Sequence, residues 1–136
     1  MYIYETQIRV RYAETDQMGY VYYGNYAMYY EVARTESLRN LGVTYKELEA
    51  FGVMLPVLEL NINYAKPALY DDLLTIRVSI PTLPKVKIAF DYEVFNQQSE
   101  LLQKGTTTLV FVNMKSGRPC RMPEMMRDVL SPYFPD

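Results

Sequence analysis

The chain contains no histidine, no tryptophan and a single cysteine among its 136 residues. Without histidine, no Ser-His-Asp or Cys-His nucleophile can be assembled. Histidine-ligated zinc and non-heme iron sites are excluded as well. Acid–base chemistry near neutral pH must therefore use Asp, Glu, Lys, Tyr or backbone groups. Cys120 has no partner for an intrachain disulfide or a CxxC metal site, and we read it as a small packing residue. No block of like charge occurs, and no apolar run reaches the ~20 residues needed to span a bilayer. The net charge is −2, from 14 basic and 16 acidic residues, which argues against the basic face of a nucleic-acid binder. The opening Tyr2-Ile3-Tyr4-Glu5 lacks the basic flank and long apolar run of a signal peptide. We expect a soluble cytoplasmic protein with no metal, no cofactor and no nucleic-acid partner.

What is abundant is tyrosine, with 14 copies, in a chain that is 49% apolar and 22% charged. That balance is ordinary for a globular protein. At about 150 residues per domain, the length suits one domain over residues 1–136.

Residues 2–12 alternate strictly, with Tyr4, Thr6, Ile8, Val10 and Tyr12 on one face and Glu5, Gln7, Arg9 and Arg11 on the other. Period two with β-branched and aromatic residues predicts a half-buried strand. Two glycines then break the pattern, and a helix is expected from Asn25 or Tyr26 to Leu41, with Asn25 as its cap and Gly42 just past its end. Tyr26, Ala27, Met28, Tyr29, Tyr30, Val32 and Ala33 surround its first half with apolar side chains, which predicts burial on most sides. Its second half, with Arg34, Glu36, Arg39 and Asn40, should emerge toward water. Thr44-Tyr45-Lys46-Glu47 reads as a capping box that starts a short helix ending near Gly52.

Three further runs alternate, at Leu58–Tyr64, Leu74–Ile80 and Val86–Val94, and a less regular one runs from Leu101 to Met114. Gly105 inside the last predicts a bulge or a close backbone approach. Short connectors, including Lys66–Asp72, suit antiparallel neighbours. A C-terminal helix is expected from about Pro123 to Leu130. The economical arrangement is α+β: a five-stranded antiparallel sheet, covered on one face and wrapped around the long helix.

The segment Arg9–Gly42, RVRYAETDQMGYVYYGNYAMYYEVARTESLRNLG, carries the chemistry. It puts Asp16 in a glycine-containing loop that feeds the helix. Amides at a helix start are unpaired donors at the positive end of the dipole, suited to a developing oxyanion. A carboxylate beside them can attack a carbonyl or activate water, and its basicity rises in a partly dry site. The plainer alternative is that Asp16 is a cap or turn residue.

The same segment resembles the signature of the hotdog-fold acyl-CoA thioesterases, in the 4-hydroxybenzoyl-CoA thioesterase branch that includes the Tol-Pal-associated enzymes. Asp16, Gly19, Val21 and Tyr26 match a D-x-x-G-x-V-x-x-x-x-Y pattern, and Glu31–Glu36 resembles the E-x-A-R-T-E stretch of the central helix. The likeness extends through the strand order to the Pro-led helix at Pro123. It implies a hotdog fold and hydrolysis of an acyl-CoA thioester. An acyl-carrier-protein thioesterase and a non-catalytic acyl-CoA-binding module are the alternatives. In this reading Asp16 is the nucleophile or general base, and the backbone amides of Tyr23 and Gly24 polarise the thioester carbonyl. Some Tol-Pal-associated members carry histidine where this chain has Tyr23, which favours the backbone over the side chain there. Hotdog dehydratases normally need a histidine and are disfavoured.

Substrate contacts are expected from Gly19, Tyr20, Tyr22 and Tyr26. Lys85 and Lys87 are candidates for the CoA phosphates, as are Lys115, Arg118 and Arg121. Tyr26 and Tyr30 should be mostly core. Glu31 is read as one half of an i, i+3 pair with Arg34 rather than as an auxiliary acid. Long sheet edges need cover, and family members assemble, so a homo-oligomer is expected: a dimer or a dimer of dimers, giving a homotetramer.

Overall fold

A computed structural model of the chain describes residues 1–135. In chain order its elements are β1 (Tyr2–Arg9), α1 (Tyr26–Asn40), α2 (Tyr45–Phe51), β2 (Val53–Met54), β3 (Val57–Tyr64), β4 (Leu73–Ile80), β5 (Lys87–Phe95), β6 (Leu101–Val110), β7 (Val112–Asn113) and α3 (Glu124–Leu130). Five strands form one antiparallel sheet in the order β1-β4-β5-β6-β3, and β2 pairs with β7 in a small separate ribbon. Leu74, Ile76, Val78 and Ile80 of β4 and Ile88, Phe90, Tyr92 and Val94 of β5 are buried, as their alternation predicts. The buried face of the sheet and α1 share one core.

Tyrosines lock α1 to that sheet. Tyr30 stacks on Tyr92 with ring centroids 4.0 Å apart and planes 3° from parallel. Its hydroxyl donates to Gln103 Oε1 at 2.6 Å. From β1, the Tyr2 hydroxyl donates to the Ser37 carbonyl at 2.6 Å. Each ring buries a large apolar area, and each hydroxyl must find a partner once water is gone. Gly105 makes room for Tyr30. A Cβ there would collide with the Tyr30 hydroxyl and lie 2.6 Å from Tyr30 Cε2 and 2.7 Å from the Asn61 carbonyl oxygen. The β5–β6 and β3–β6 register is regular at Gly105, so the glycine serves a close approach and not a bulge.

The helix ends as predicted. Gly42 and Gly52 follow α1 and α2 with φ of +89° and +97°, a left-handed conformation that suits glycine. Thr44 Oγ1 accepts from the Glu47 amide at 3.1 Å and caps α2. Pro123 precedes α3 as its cap residue. Cys120 is half-buried against the core.

Five expectations are corrected. β1 stops at Arg9, and a 3₁₀ turn occupies Tyr12–Glu14, leaving the Tyr12 ring exposed. The Lys66–Asp72 connector does not join neighbours, because β3 pairs with β6 and β4 lies between β1 and β5. β3 is an edge strand with neither face well covered, and its Leu58 and Leu60 are 55% and 44% exposed. On α1, Ala27, Met28, Glu31 and Val32 face outward, so the helix buries one side rather than its whole circumference. Arg34 points inward instead of toward water. It is 6% exposed, and its Nε donates to the Tyr45 hydroxyl at 3.1 Å. It therefore forms no pair with Glu31, whereas Glu36 and Arg39 do approach to 3.5 Å.

Candidate active site

Asp16 sits at the head of a tight hairpin. Thr15 and Val21 form an antiparallel bridge. The Asp16 amide donates to the Tyr20 carbonyl at 2.8 Å, and the Gly19 amide donates to the Asp16 carbonyl at 3.0 Å. Gly19 takes φ of +78° to close this turn. One carboxylate oxygen of Asp16 is tethered: Oδ1 accepts from the amides of Met18 at 2.9 Å and Tyr20 at 3.2 Å. Oδ2 has no hydrogen-bond partner among the described residues. The turn thus orients the carboxylate and leaves one oxygen available.

A 3₁₀ turn over Tyr23–Asn25 runs directly into α1. The Tyr22 amide donates to the Glu14 carbonyl at 2.9 Å and the Asn25 amide to the Tyr22 carbonyl at 2.9 Å. Between them, the amides of Tyr23 and Gly24 have no acceptor among the described residues, as helix geometry requires of first-turn donors. Asn25 is not the expected side-chain cap. Its Nδ2 turns back and donates to the Glu14 carbonyl at 2.8 Å.

Asp16, Tyr20, Val21, Tyr23, Tyr26 and Tyr64 line a common cavity of about 370 Å³. Tyr26 is buried, its hydroxyl accepts from the Ala68 amide at 3.3 Å, and burial pushes its phenol above the ordinary tyrosine value. Tyr22 lies outside this lining. Its ring tilts against Tyr23 with centroids 4.7 Å apart and covers Gly24, where a Cβ would sit 2.7 Å from Tyr22 Cε2. The role open to Gly19 is conformational. Tyr64, at the end of β3, completes the aromatic wall, with centroids 5.7 Å from Tyr26, and Lys66 and Pro67 follow it at the rim. Sequence reasoning missed these three because they come from the end of β3 and the loop after it, some fifty residues along the chain from Asp16. The one available signal was a bulky aromatic ending an edge strand just before Lys66-Pro67. Lys66 is already paired, with Nζ 2.6 Å from Glu100.

Lys85 and Lys87 are not brought to this cavity within one chain. They lie where β5 begins, beside the end of β4, whereas the Asp16 hairpin lies beside the start of β4. Eight residues of strand at about 3.3 Å each separate the two regions by some 20 Å or more. Lys85 instead borders a cleft of about 250 Å³ with Arg121, Arg127, Leu83 and Met122, while Lys87 is outside it. Lys115 and Arg118 also fall outside that cleft. Glu31 borders a third cavity, of about 360 Å³, with Met28, Val57 and Leu60. The described residues contain no cluster of metal-ligating side chains and no helix long and apolar enough to cross a membrane.

An antiparallel sheet wrapped around a central helix defines the hotdog fold, and in it a carboxylate and helix-start amides lie beside an aromatic cavity. Residues 10–130 match the Thioesterase-like superfamily, and the chain belongs to that family; it is a thioester hydrolase. It is similar to YneP of Bacillus subtilis (strain 168), at 35% identity over 133 residues, covering 98% of this chain and 96% of that one. It is also similar to the acyl-CoA thioester hydrolase YbgC of Escherichia coli O6:H1, at 30% identity over 122 residues, covering 90% and 91% of the two chains. Among solved structures, the DHNA-CoA thioesterase of Staphylococcus aureus superposes with a TM-score of 0.85 at 36% identity, covering 100% of this chain and 86% of that one.

Proposed function

We propose that this chain hydrolyses acyl-CoA thioesters in the cytoplasm, with Asp16 as the reacting carboxylate and the amides of Tyr23 and Gly24 as oxyanion donors. The observation that carries the reading is the pairing of a tethered Oδ1 with an unengaged Oδ2 on Asp16, beside two unpaired amides at the start of a helix. Polarisation of the thioester carbonyl by those amides lowers the barrier to attack, the more so in a partly dry site. Acting as nucleophile, Oδ2 bonds to the carbonyl carbon, CoA thiolate leaves, and water then cleaves the mixed anhydride. Acting as general base, the carboxylate takes a proton from water as its oxygen attacks, and the proton passes to the departing thiolate. Tyr20, Tyr23, Tyr26 and Tyr64 around the cavity favour a flat aromatic acyl group, which is in keeping with the named activity of the Staphylococcus aureus relative.

Lys85, in the cleft it shares with Arg121 and Arg127, is suited to the CoA phosphates. Because that cleft is remote from Asp16 in one chain, the reading requires a homo-oligomer in which a second copy supplies it. The uncovered β3 edge and the outward Met28 and Val32 of α1 favour such an assembly.

The test is free-thiol release from benzoyl-CoA, naphthoyl-CoA, hexanoyl-CoA and the matching acyl-carrier-protein thioesters, with wild type and Asp16→Asn. The expected result is the highest kcat/KM on an aryl-CoA and a loss of at least about 100-fold in folded Asp16→Asn. Wild-type turnover in that variant rejects the assignment. A preference for the carrier-protein thioester selects that alternative, and binding without thiol release selects the binding module.

A further inference from the structure

Glu14 lies two residues before Asp16, is 5% exposed, and has no part in the chemistry above. Its carboxylate is nonetheless saturated. Oε1 accepts from the Arg11 amide at 2.9 Å and from the Tyr29 hydroxyl at 2.8 Å. Oε2 accepts from Nε and Nη2 of Arg11 at 3.1 and 2.7 Å, so the guanidinium grips the carboxylate through two donors. The peptide carbonyl of the same residue is a second hub. It accepts from the Tyr22 amide at 2.9 Å and from Asn25 Nδ2 at 2.8 Å.

Those two donors flank Tyr23 and Gly24 on either side. Glu14 is also joined to Asp16 through Thr15, whose bridge to Val21 closes the hairpin. One buried residue therefore ties together the end of the β1 segment, the α1 core at Tyr29, the arm that carries Asp16 and the turn that carries the free amides. An apolar side chain would fill the space beneath the hairpin with a smaller desolvation cost. Only a carboxylate can accept four hydrogen bonds there and hold Arg11 and Tyr29 at once.

We infer that Glu14 is a positioning residue that holds the Asp16 carboxylate and the Tyr23 and Gly24 amides in one rigid frame. This inference rests on the reading of Asp16 as the reacting carboxylate. Glu14→Gln is nearly isosteric, but its amide NH₂ must face either the Arg11 donors or the Tyr29 hydroxyl, so the brace is mis-set without emptying the site. A displacement on the order of 1 Å between carboxylate and oxyanion donors costs about 10²-fold in rate. Binding of the CoA moiety, made elsewhere, is unaffected.

The experiment measures kcat and KM for benzoyl-CoA, and the thermal midpoint, of the full chain as wild type, Glu14→Gln, Asp16→Asn and the double variant. All rates are taken well below the midpoint of the least stable protein. The expected result is a kcat lowered about 10- to 100-fold in Glu14→Gln, with KM within about threefold and no further loss in the double variant over Asp16→Asn alone. A lowered midpoint with unchanged kcat makes Glu14 merely structural and overturns the inference. Full additivity in the double variant also overturns it, because Glu14 would then act independently of Asp16. Should Glu14→Gln fail to fold, Tyr29→Phe and Asn25→Ala each remove one bond of the same brace. Each is then expected to lower kcat several-fold, and unchanged kcat in both overturns the inference. Wild-type turnover in Asp16→Asn removes the Asp16 assignment and this inference together, whereas a normal Glu14→Gln beside an inactive Asp16→Asn removes this inference alone.

Discussion

Replacing Gly105 with alanine tests the link between sheet and helix most directly. The added methyl would meet the Tyr30 hydroxyl, with Tyr30 Cε2 at 2.6 Å and the Asn61 carbonyl oxygen at 2.7 Å, all well inside van der Waals contact. Asn61 belongs to the neighbouring strand β3, whose backbone is hydrogen-bonded to β6 through this register, so the ring must move instead. Tyr30 is sandwiched against Tyr92 at 4.0 Å, and moving it breaks its buried hydrogen bond to Gln103. Overpacking costs about 1–3 kcal/mol, and stranding the buried Gln103 acceptor adds about 1–3 kcal/mol. The total of about 2–6 kcal/mol is a large share of a typical domain stability of about 5–15 kcal/mol. At about 3–5 °C per kcal/mol for a chain of this size, the thermal midpoint falls by about 6–30 °C. Circular dichroism melts of Gly105→Ala, Tyr30→Phe and the double variant measure this. Because Tyr30→Phe deletes the hydroxyl that the methyl meets first, it should be less costly in the Gly105→Ala background than in wild type. A Gly105→Ala melt within about 2 °C of wild type, or strict additivity of the two changes, would refute the close-approach argument.

Two other predictions concern charge. Burial alone pushes the Glu14 carboxyl up, but the hydrogen bonds from Arg11 and Tyr29 and the Arg11 charge outweigh it and hold the group below the ordinary glutamate value. A depressed folded value means that the unfolded chain binds the proton first. The stabilisation is therefore complete above the unfolded glutamate value of about 4.3 and is lost as pH falls through the lower folded value. The thermal midpoint of wild type should drop more steeply on acidification below about pH 4.5 than that of Glu14→Gln, and parallel curves would contradict the brace. For the basic cleft, Lys85→Ala and Arg121→Ala should each raise KM for acyl-CoA and flatten its rise between about 0.05 and 0.3 M salt, where screening lengths shorten. Kinetics over that salt range decide it, and an unchanged salt slope in both variants would exclude the cleft as the phosphate site.

Much of the fold was legible in local pattern. Alternation marked Leu74–Ile80 and Val86–Val94 as half-buried, and the tyrosine-rich run at Tyr26–Tyr30 marked the helix that fills the sheet. Asp16 was a candidate as a loop carboxylate ahead of that helix, and Gly19 and Tyr23 were candidates through the resemblance of the segment to the hotdog thioesterases; the structure places all three in the hairpin and turn that lead into the helix. Less visible was everything that depends on which distant segment lies alongside. Alternation on β3 was real, yet its side chains stayed exposed because β3 took an edge of the sheet. Arg34 carries a charge that argues for solvent, and it turned inward because Tyr45 offered a partner. Glu14 looked like any loop acid until Arg11, Tyr29, Tyr22 and Asn25 closed around it.

The absence of histidine, set by the sequence alone, restricts acid–base chemistry near neutral pH to Asp, Glu, Lys, Tyr or backbone groups, whatever the fold. Local propensity and periodicity likewise mark where most helices, strands and turns lie, since those depend on residues within a few positions of one another. Tertiary structure alone decides that Tyr64 from β3 completes the wall of the Asp16 cavity, that Lys85 stands at the far end of the sheet, and that a buried Glu14 joins the two arms of the site. Each of these is a pairing between segments far apart in the chain. Such pairings are chosen by the summed burial and hydrogen bonding of the whole sheet, which no single stretch of sequence encodes.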